Sequence, residues 1–463
     1  MKNIGNSTLL ETVPGNPALP IPSGRNKRWL LLILVFAVAI RVLLLSVAWR
    51  QDHAALAPDS HGYLAPAQSL ANEHEFRYLG KPEIFRTPGY PLFLVLCGST
   101  GSLGYTTAQA VQVALDALMV YLVYLLGARL FGYTAGLWAA MLHACSLVAM
   151  IGAVQILTDG LFSFLLTVAI VLLVEHVRRG GFRSLFTACV LTAAATYVRP
   201  VGFVFVPLVV IVLLFRPRRL LNAILFSSLF AALVVPWVLR NYLETGYLGF
   251  SVVGQYNLLF YEAAGVWAQS HNVSIVIAQH QLDNIFRQRL AARGIGDPGS
   301  PAGIDLAGQL AREILLAKPI ASLLVHLKTS LGTLLPAGSE LSEMLGITMG
   351  GRGTLGILQK AGPWAAAKYY FGSNPLAALV IIPELVVLLI QYLGCALFAL
   401  DGIRNSGRFE RDKATWLILL TILAFLLIAG PGSVARYRMP VDPLLSVTAG
   451  SVLAISSLKH QSA

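Results

Sequence analysis

Residues 58–93 contain three polar motifs in close succession: PDSHGY at Pro58–Tyr63, FRYLGKP at Phe76–Pro82 and FRTPGYPLF at Phe85–Phe93. They follow soon after the first hydrophobic run, Trp29–Trp49. This stretch sets an acid (Asp59), two arginines (Arg77 and Arg86) and the tyrosines Tyr63 and Tyr90 at the mouth of an otherwise lipid-soluble chain. A carboxylate and arginines held at a membrane surface suit a reaction on a phosphorylated lipid.

The composition agrees with that setting. The 463 residues are 56% hydrophobic and 12% charged. A soluble domain carries roughly 25% charge, so the chain reads as an all-α polytopic membrane protein. Trp29–Trp49 is long enough to span the hydrocarbon core, about 20 residues, and lacks a small-residue cleavage site. Residues 1–28 are expected to form a disordered cytoplasmic tail. Cys97, Cys145, Cys189 and Cys395 lie scattered through apolar segments without a C-x-x-C pair, which points to buried thiols rather than a disulfide frame. The formal net charge of +12 follows membrane topology and does not indicate nucleic acid.

Further apolar runs lie near 107–128, 134–152, 158–175, 184–198, 201–215, 219–239, 376–400, 414–430 and 441–458, which makes ten expected spans. Arg25, Lys27 and Arg28 precede the first and place the N-terminus inside. Alternate loops then hold Arg129; Arg178, Arg179 and Arg183; Arg216, Arg218 and Arg219; Arg404, Arg408, Arg411 and Lys413; and Lys459. The short loops on the other side hold only Arg199, Arg436 and Arg438. This asymmetry places both termini in the cytoplasm and residues 50–106 and 241–375 outside. The expected organisation is a membrane core over 29–240, a large loop or lid over 241–375, and C-terminal helices over 376–463. Residues 60–75 should form an interfacial helix with Leu64, Ala67 and Leu70 on one face. Residues 88–104 suggest a re-entrant or interfacial segment, 274–293 and 304–317 helices of the large loop, and 319–335 an interfacial helix or an eleventh membrane segment. Gly-rich 345–356 reads as a loop over the site.

The unusual polar residues gather on the outer side. Asp159 lies between spans three and four, Arg199 between five and six, Arg240 at the end of span seven, and Arg436, Tyr437 and Arg438 just before the last. Outside arginines oppose the positive-inside bias, and an anionic ligand supplies a reason for them. Transfer of a sugar from a lipid phosphate fits the inventory. The phosphate ester departs as an anion and needs no proton donor, so one carboxylate suffices to deprotonate the acceptor hydroxyl while cations neutralise the leaving group. The guanidinium fork suits phosphate oxygens.

Each residue also has a plainer reading. Asp59 and Asp159 could cap helices, and the arginines could snorkel to headgroups. Asp159 could also act as a second acid, a metal ligand or an acceptor contact. Asp52, His53, His61 and His74 could join Asp59 around a divalent cation, at a spacing that matches no ligand motif. Within the membrane, Arg41 and Asp116 are expected to pair, and Glu384 lies nominally in span eight.

PDSHGY, RTPGYPLF, ILTD, VRPVG, PWVLRNYLETG and RYRMP, in this order, resemble the polyprenyl-phosphate-sugar-dependent glycosyltransferases of the GT-C superfamily, which include protein O-mannosyltransferases and lipid A aminoarabinose transferases. The likeness covers about 29–260 and 430–443. It implies a GT-C fold and inverting transfer from a polyprenyl-phosphate-linked sugar to a hydroxyl-bearing acceptor, without a firm cofactor. It also implies a monomer in a bacterial inner membrane with the site facing the periplasm. By the same likeness Asp59 is the general base and Arg86 contacts the donor phosphate; the outer-side placement adds Asp159 as a second catalytic acid and Arg199, Arg436 and Arg438 as further ligands of that phosphate. Tyr63, Arg77, Tyr90, Arg240 and Tyr437 then line the substrate pocket. Members with two adjacent acids have Asp-Glu where this chain has Asp59-Ser60. Two other classes compete: a secondary transporter or lipid flippase, and a substrate-binding membrane subunit. No internal repeat is visible for the transporter.

Overall fold

The computed structural model describes residues 24–50, 56–101, 104–215, 219–345, 354–371, 375–404 and 413–461. Asp52, His53 and most of Gly-rich 345–356 lie outside them, as does the expected tail up to residue 23. From Gly24 onward the chain is already helical, as helix α1 (Gly24–Arg50).

Nearly all the structure is helical. Five helices are long and apolar enough to cross a membrane: Asn26–Arg50, Thr106–Phe131, Thr158–Arg179, Leu220–Thr245 and Ile381–Arg404. Large apolar side chains such as Leu31 and Leu43 on the first and Leu389 and Leu397 on the last remain exposed, as lipid-facing positions require. All ten apolar runs fall on helices, but five are not single full-length spans. One is a bent pair, Tyr133–Ala144 with Leu147–Val154, turned through 57°. Its second half is buried at every position, so the break lies inside protein, where irregular backbone at membrane depth is tolerated. The other four are the shorter helices Phe182–Val198, Pro200–Leu214, Lys413–Leu427 and Asp442–Ser456. Phe182–Val198 stops because Pro200 disfavours helical geometry at Arg199, whose backbone is extended (φ −142°, ψ 125°).

Charged groups within the bundle are paired. Arg41 is bonded to Asp116, as expected for intramembrane ions. His143 Nδ1 lies 2.8 Å from Asp442 Oδ2, and Gln391 donates to Asp442 (3.2 Å) and Ser446 (2.9 Å), tying the C-terminal helix to its neighbours. Glu384 pairs with Arg438 at 3.5 Å.

The first loop is built from α2 (His61–Asn72), a two-residue antiparallel pair β1 (Arg77–Tyr78) and β2 (Lys81–Pro82), and α3 (Gly89–Leu96). Helix α2 ends before the expected residue 75. It buries Tyr63, Pro66 and Ala67 against the protein with Leu64 packed on the same core, so two of the three residues expected on one face lie on its packed face. The 241–375 stretch expected to form a lid opens with the last five residues of the seventh apolar helix, which continues to Thr245. It holds the helices Ile275–Ala292 and Pro301–Ala317, each opened by a serine cap: Ser274 accepts from the Ile277 amide and Ser300 from that of Gly303. Leu259, Leu282, Phe286, Leu306 and Leu310 form its core. Pro301–Ala317 and Pro319–Leu334 meet at 102°. The lid is fastened to the first loop by Lys81–Asp297 (2.7 Å), by the Val252 amide to Ile84 O (3.1 Å) and by the Ser251 hydroxyl to Phe85 O (2.6 Å).

Candidate active site

Asp59 lies in a turn just before α2, and Ser60 fixes that turn. The Ser60 hydroxyl is fully buried, accepts from the Ala57 amide (2.9 Å) and donates to Ile156 O (2.8 Å). Ile156 belongs to the segment ILTDG that carries Asp159, so one hydroxyl couples the two acid-bearing loops. The adjacent-acid position is thus filled by a residue that anchors Asp59.

Arg86 is presented by a second small device. The Glu83 carboxylate accepts from the amides of Phe85 (2.5 Å) and Arg86 (2.8 Å) and rigidifies the turn. Burial raises the Glu83 carboxyl above its ordinary value, against those two amide bonds and the nearby arginines. Three residues after Arg86, Gly89 packs against the end of Phe182–Val198. A Cβ there would lie 2.6 Å from the Tyr197 carbonyl oxygen and 2.7 Å from the Val198 nitrogen. The RTPG segment needs glycine at this point so that Arg86 and Arg199 can share one cavity.

The charges converge in that cavity, of about 860 Å³. Asp59 Oδ1 accepts from Arg86 Nη2 (2.9 Å) and Oδ2 from Arg436 Nη2 (2.8 Å), so each carboxylate oxygen holds one guanidinium. Asp159, buried in the first turn of Thr158–Arg179, is bonded to Arg199. Arg86 also donates to the Tyr63 hydroxyl (3.0 Å) and stacks over its ring (4.7 Å). The Tyr437 ring lies under Arg199 (5.4 Å) and Arg436 (5.5 Å), a shared cation–π platform. Burial raises the Asp59 carboxyl, but hydrogen bonds and charge from Arg436 and Arg86 outweigh it and leave the group below its ordinary value. Burial opposes the charge of Arg436, yet Asp159, Tyr437 and Asp59 raise it above the usual guanidinium value. Three arginines and two ionised aspartates leave this cluster with a net charge of one positive unit.

Of the residues expected from sequence, Asp59, Tyr63, Arg86, Asp159, Arg199, Arg436 and Tyr437 line the cavity. Four others do not. Arg438 is 1% exposed and donates to the carbonyls of Thr333 (2.8 Å) and Leu335 (2.9 Å) and towards Glu384. It lies two residues after Arg436 in a 3₁₀ turn, Ala435–Arg438, and three residues per turn send the two arginines to different sides. Arg77 bonds to Glu75 and to Gly80 O (3.1 Å) on the exposed hairpin. Arg240 packs on Trp237 and donates to the carbonyls of Glu83 (2.8 Å) and Phe76 (2.9 Å), so it braces the loop from behind. Tyr90 is fully buried and donates to Gln112 (2.6 Å), which in turn donates to Ala153 O and Gln155 O.

The lid adds cavity residues not foreseen in the sequence: Tyr256, Asn257, Tyr261 and Glu262. Burial raises the Glu262 carboxyl, outweighing its bond with His326. No signal short of the fold marks them, because only tertiary packing brings this segment to the wall of the cavity that also holds Asp59. Among the described residues no three His, Cys, Asp or Glu side chains group as metal ligands. Asp59 and Asp159 each hold guanidinium groups.

Residues 87–239, a third of the chain, match the family model described as dolichyl-phosphate-mannose-protein mannosyltransferase. The matched segment contains Asp159 and Arg199 but stops short of Asp59, Arg86 and Arg436. No curated protein sequence matches. Among solved structures, the oligosaccharyltransferase AglB of Archaeoglobus fulgidus, in complex with an inhibitory peptide and a dolichol-phosphate, aligns with a TM-score of 0.51 at 16% identity, over 94% of this chain and 51% of that one. Its apo form aligns with a TM-score of 0.52 at 15% identity, over 95% and 52%. ArnT of Cupriavidus metallidurans bound to undecaprenyl phosphate aligns with a TM-score of 0.41 at 14% identity, over 92% and 78%. The protein is therefore a helical, polytopic membrane protein with the GT-C fold. It spans about half the length of the oligosaccharyltransferase chains it matches.

Proposed function

We propose that this protein is an inverting glycosyltransferase that moves a sugar from a polyprenyl-phosphate-linked donor to a hydroxyl of a glycolipid, polysaccharide or protein on the extracytoplasmic face. The observation that carries this reading is the bridging of Asp59 by Arg86 and Arg436 beside the Arg199–Asp159 pair, in one cavity at one end of the bundle. A lipid-phosphate sugar is a phosphodiester with one negative charge, which matches the one positive charge left over in the cluster. Departure of the lipid phosphate leaves more negative charge on its oxygens, and the arginines stabilise that charge as it develops. Apolar side chains at the cavity wall, Phe203, Phe425 and Ile428, suit the first prenyl units.

In the free protein Arg86 and Arg436 hold Asp59, which lowers its basicity. A donor phosphate offers these arginines a second anion, relaxes their hold and makes Asp59 a better base. The acceptor hydroxyl then gives its proton to Asp59 as its oxygen attacks the anomeric carbon. The bond between that carbon and the phosphate oxygen breaks, and the electron pair leaves with the lipid phosphate. Attack opposite the leaving group inverts the anomeric centre. Asp159 orients Arg199 and keeps it charged.

Asp159 and Arg199 lie within the segment that matches the mannosyltransferase family model. The test is transfer by the purified protein in liposomes, using undecaprenyl-phosphate hexoses and envelope glycolipids from cells lacking the protein. A new glycosylated product that disappears in Asp59→Asn supports the proposal. Sugar-lipid movement across sealed vesicles without any glycosidic product overturns it in favour of transport.

A further inference from the structure

The cavity contains one more carboxylate, placed on the lid. Glu262 lines it from a single π-helical turn, Leu258–Ala263, in a protein whose other regular helices are α or 3₁₀ among the described residues. Such widened turns cluster at functional sites because they redirect side chains out of the ordinary helical register. His326 grips this carboxylate. Its Nδ1 lies 3.0 and 3.1 Å from the two Glu262 oxygens, and its Nε2 lies 2.6 Å from Leu427 O. A carbonyl only accepts, so Nε2 carries a proton. Nδ1 faces both carboxylate oxygens, so the imidazole holds the carboxylate in one orientation.

The chain makes room for the pair. Gly430 has a φ of +50°, and a Cβ there would lie 2.1 Å from Glu262 Oε1 and 2.6 Å from His326 Nδ1. Tyr256 and Asn257 line the same lid wall. A fixed carboxylate with unfilled lone pairs, next to an amide and an aromatic face, is chemistry that recognises the hydroxyls and C–H face of a sugar ring.

We infer that Glu262 is a specificity-determining residue that accepts hydrogen bonds from hydroxyl groups of a carbohydrate in the cavity, and that His326 is the residue that positions it. This rests on the transferase reading above. The carbohydrate is either the sugar on the donor or a sugar on the acceptor, and the test separates them.

The full chain in nanodiscs is titrated with undecaprenyl phosphate and with undecaprenyl-phosphate glucose, galactose and mannose, and transfer to a glycolipid extract is followed. Glu262→Gln should bind undecaprenyl phosphate as the wild type does. Hydrogen bonds to a charged group correspond to about 10-fold or more in affinity. A loss of that size for the sugar-bearing donor assigns Glu262 to the donor sugar. Unchanged donor binding with a rise of that size in the acceptor KM assigns it to the acceptor. His326→Asn should give a smaller loss in the same arm, with kcat kept. Glu262→Asp, which keeps the charge but withdraws it, should share the loss and serves if Glu262→Gln fails to fold. Variants that bind and transfer like the wild type overturn the inference. Failure of the wild type to bind undecaprenyl phosphate at all is a different result, which removes the transferase reading itself.

Discussion

Arg436 stands 377 residues from Asp59 along the chain and 2.8 Å from it in space. The contact closes the cavity by joining the first loop to the turn before the C-terminal helix. With Arg86 on its other oxygen, Asp59 is both the candidate base and the placeholder for the anion that its arginines would bind.

Asp59→Asn should leave the fold intact, because asparagine can keep a neutral contact with the arginines. It should lower transfer by about 10²–10⁴-fold, the usual contribution of a general base. Transfer rate and thermal midpoint, measured on one preparation, check this. A variant within a few-fold of wild type removes Asp59 from the chemistry.

Arg436 and Arg438 should separate cleanly. Arg436→Ala should weaken binding of undecaprenyl phosphate by about 10-fold or more, with Arg436→Lys restoring little because a point charge does not reproduce the fork. Arg438→Ala should instead destabilise the protein by about 3–5 kcal/mol, since it leaves Glu384 buried without its cation. Lipid titration and thermal unfolding distinguish the two. Equal loss of lipid affinity in both variants would contradict the geometry.

The depressed Asp59 carboxyl has a pH consequence. Its value in the folded protein lies below that of the unfolded chain, so the stability it contributes is present above the unfolded value and lost as pH falls through the folded one. Phosphate binding draws Arg86 and Arg436 away and should raise the group. The acid limb of kcat, which reports the complex, should therefore lie at higher pH than that of kcat/KM, which reports the free protein. Coincident limbs would show that the arginines do not exchange partners.

Gly89→Ala should destabilise the protein by about 1–3 kcal/mol, because the new methyl meets the Tyr197 carbonyl and no flexible side chain can yield. It should also lower donor affinity by moving Arg86 away from Arg199. Ser60→Ala tests the other anchor. Losing the hydroxyl that binds Ile156 O should cost about 1–3 kcal/mol and slow transfer without changing lipid affinity. Unfolding and binding measurements on the two variants check both outcomes.

How well each part of the site could be read from sequence follows from the range of the forces involved. Arg41–Asp116 was legible because two charges in apolar runs have few alternatives to each other. The polar residues of the cavity were legible as a group because topology puts helix ends on two sides only. The roles of Arg438, Arg77, Arg240 and Tyr90 were not. A residue's place in a motif does not reveal which way its side chain leaves the backbone, and Arg436 and Arg438 differ by two steps of a 3₁₀ turn. Ser60 read as a departure from a pair of acids, and its role emerged only with the loop it binds.

By itself, the amino-acid order determined the environment of this protein and its helical character. Runs of apolar residues must leave water, and within lipid the backbone must satisfy its own hydrogen bonds, so both are readable locally. Tertiary structure alone decided which of the scattered charges meet, where the apolar segments bend or fall short, and that Glu262, held by His326, lines the same cavity. Those outcomes depend on contacts between segments far apart in the chain. Such contacts form only when packing has fixed the orientation of each helix end, and no local pattern encodes that orientation.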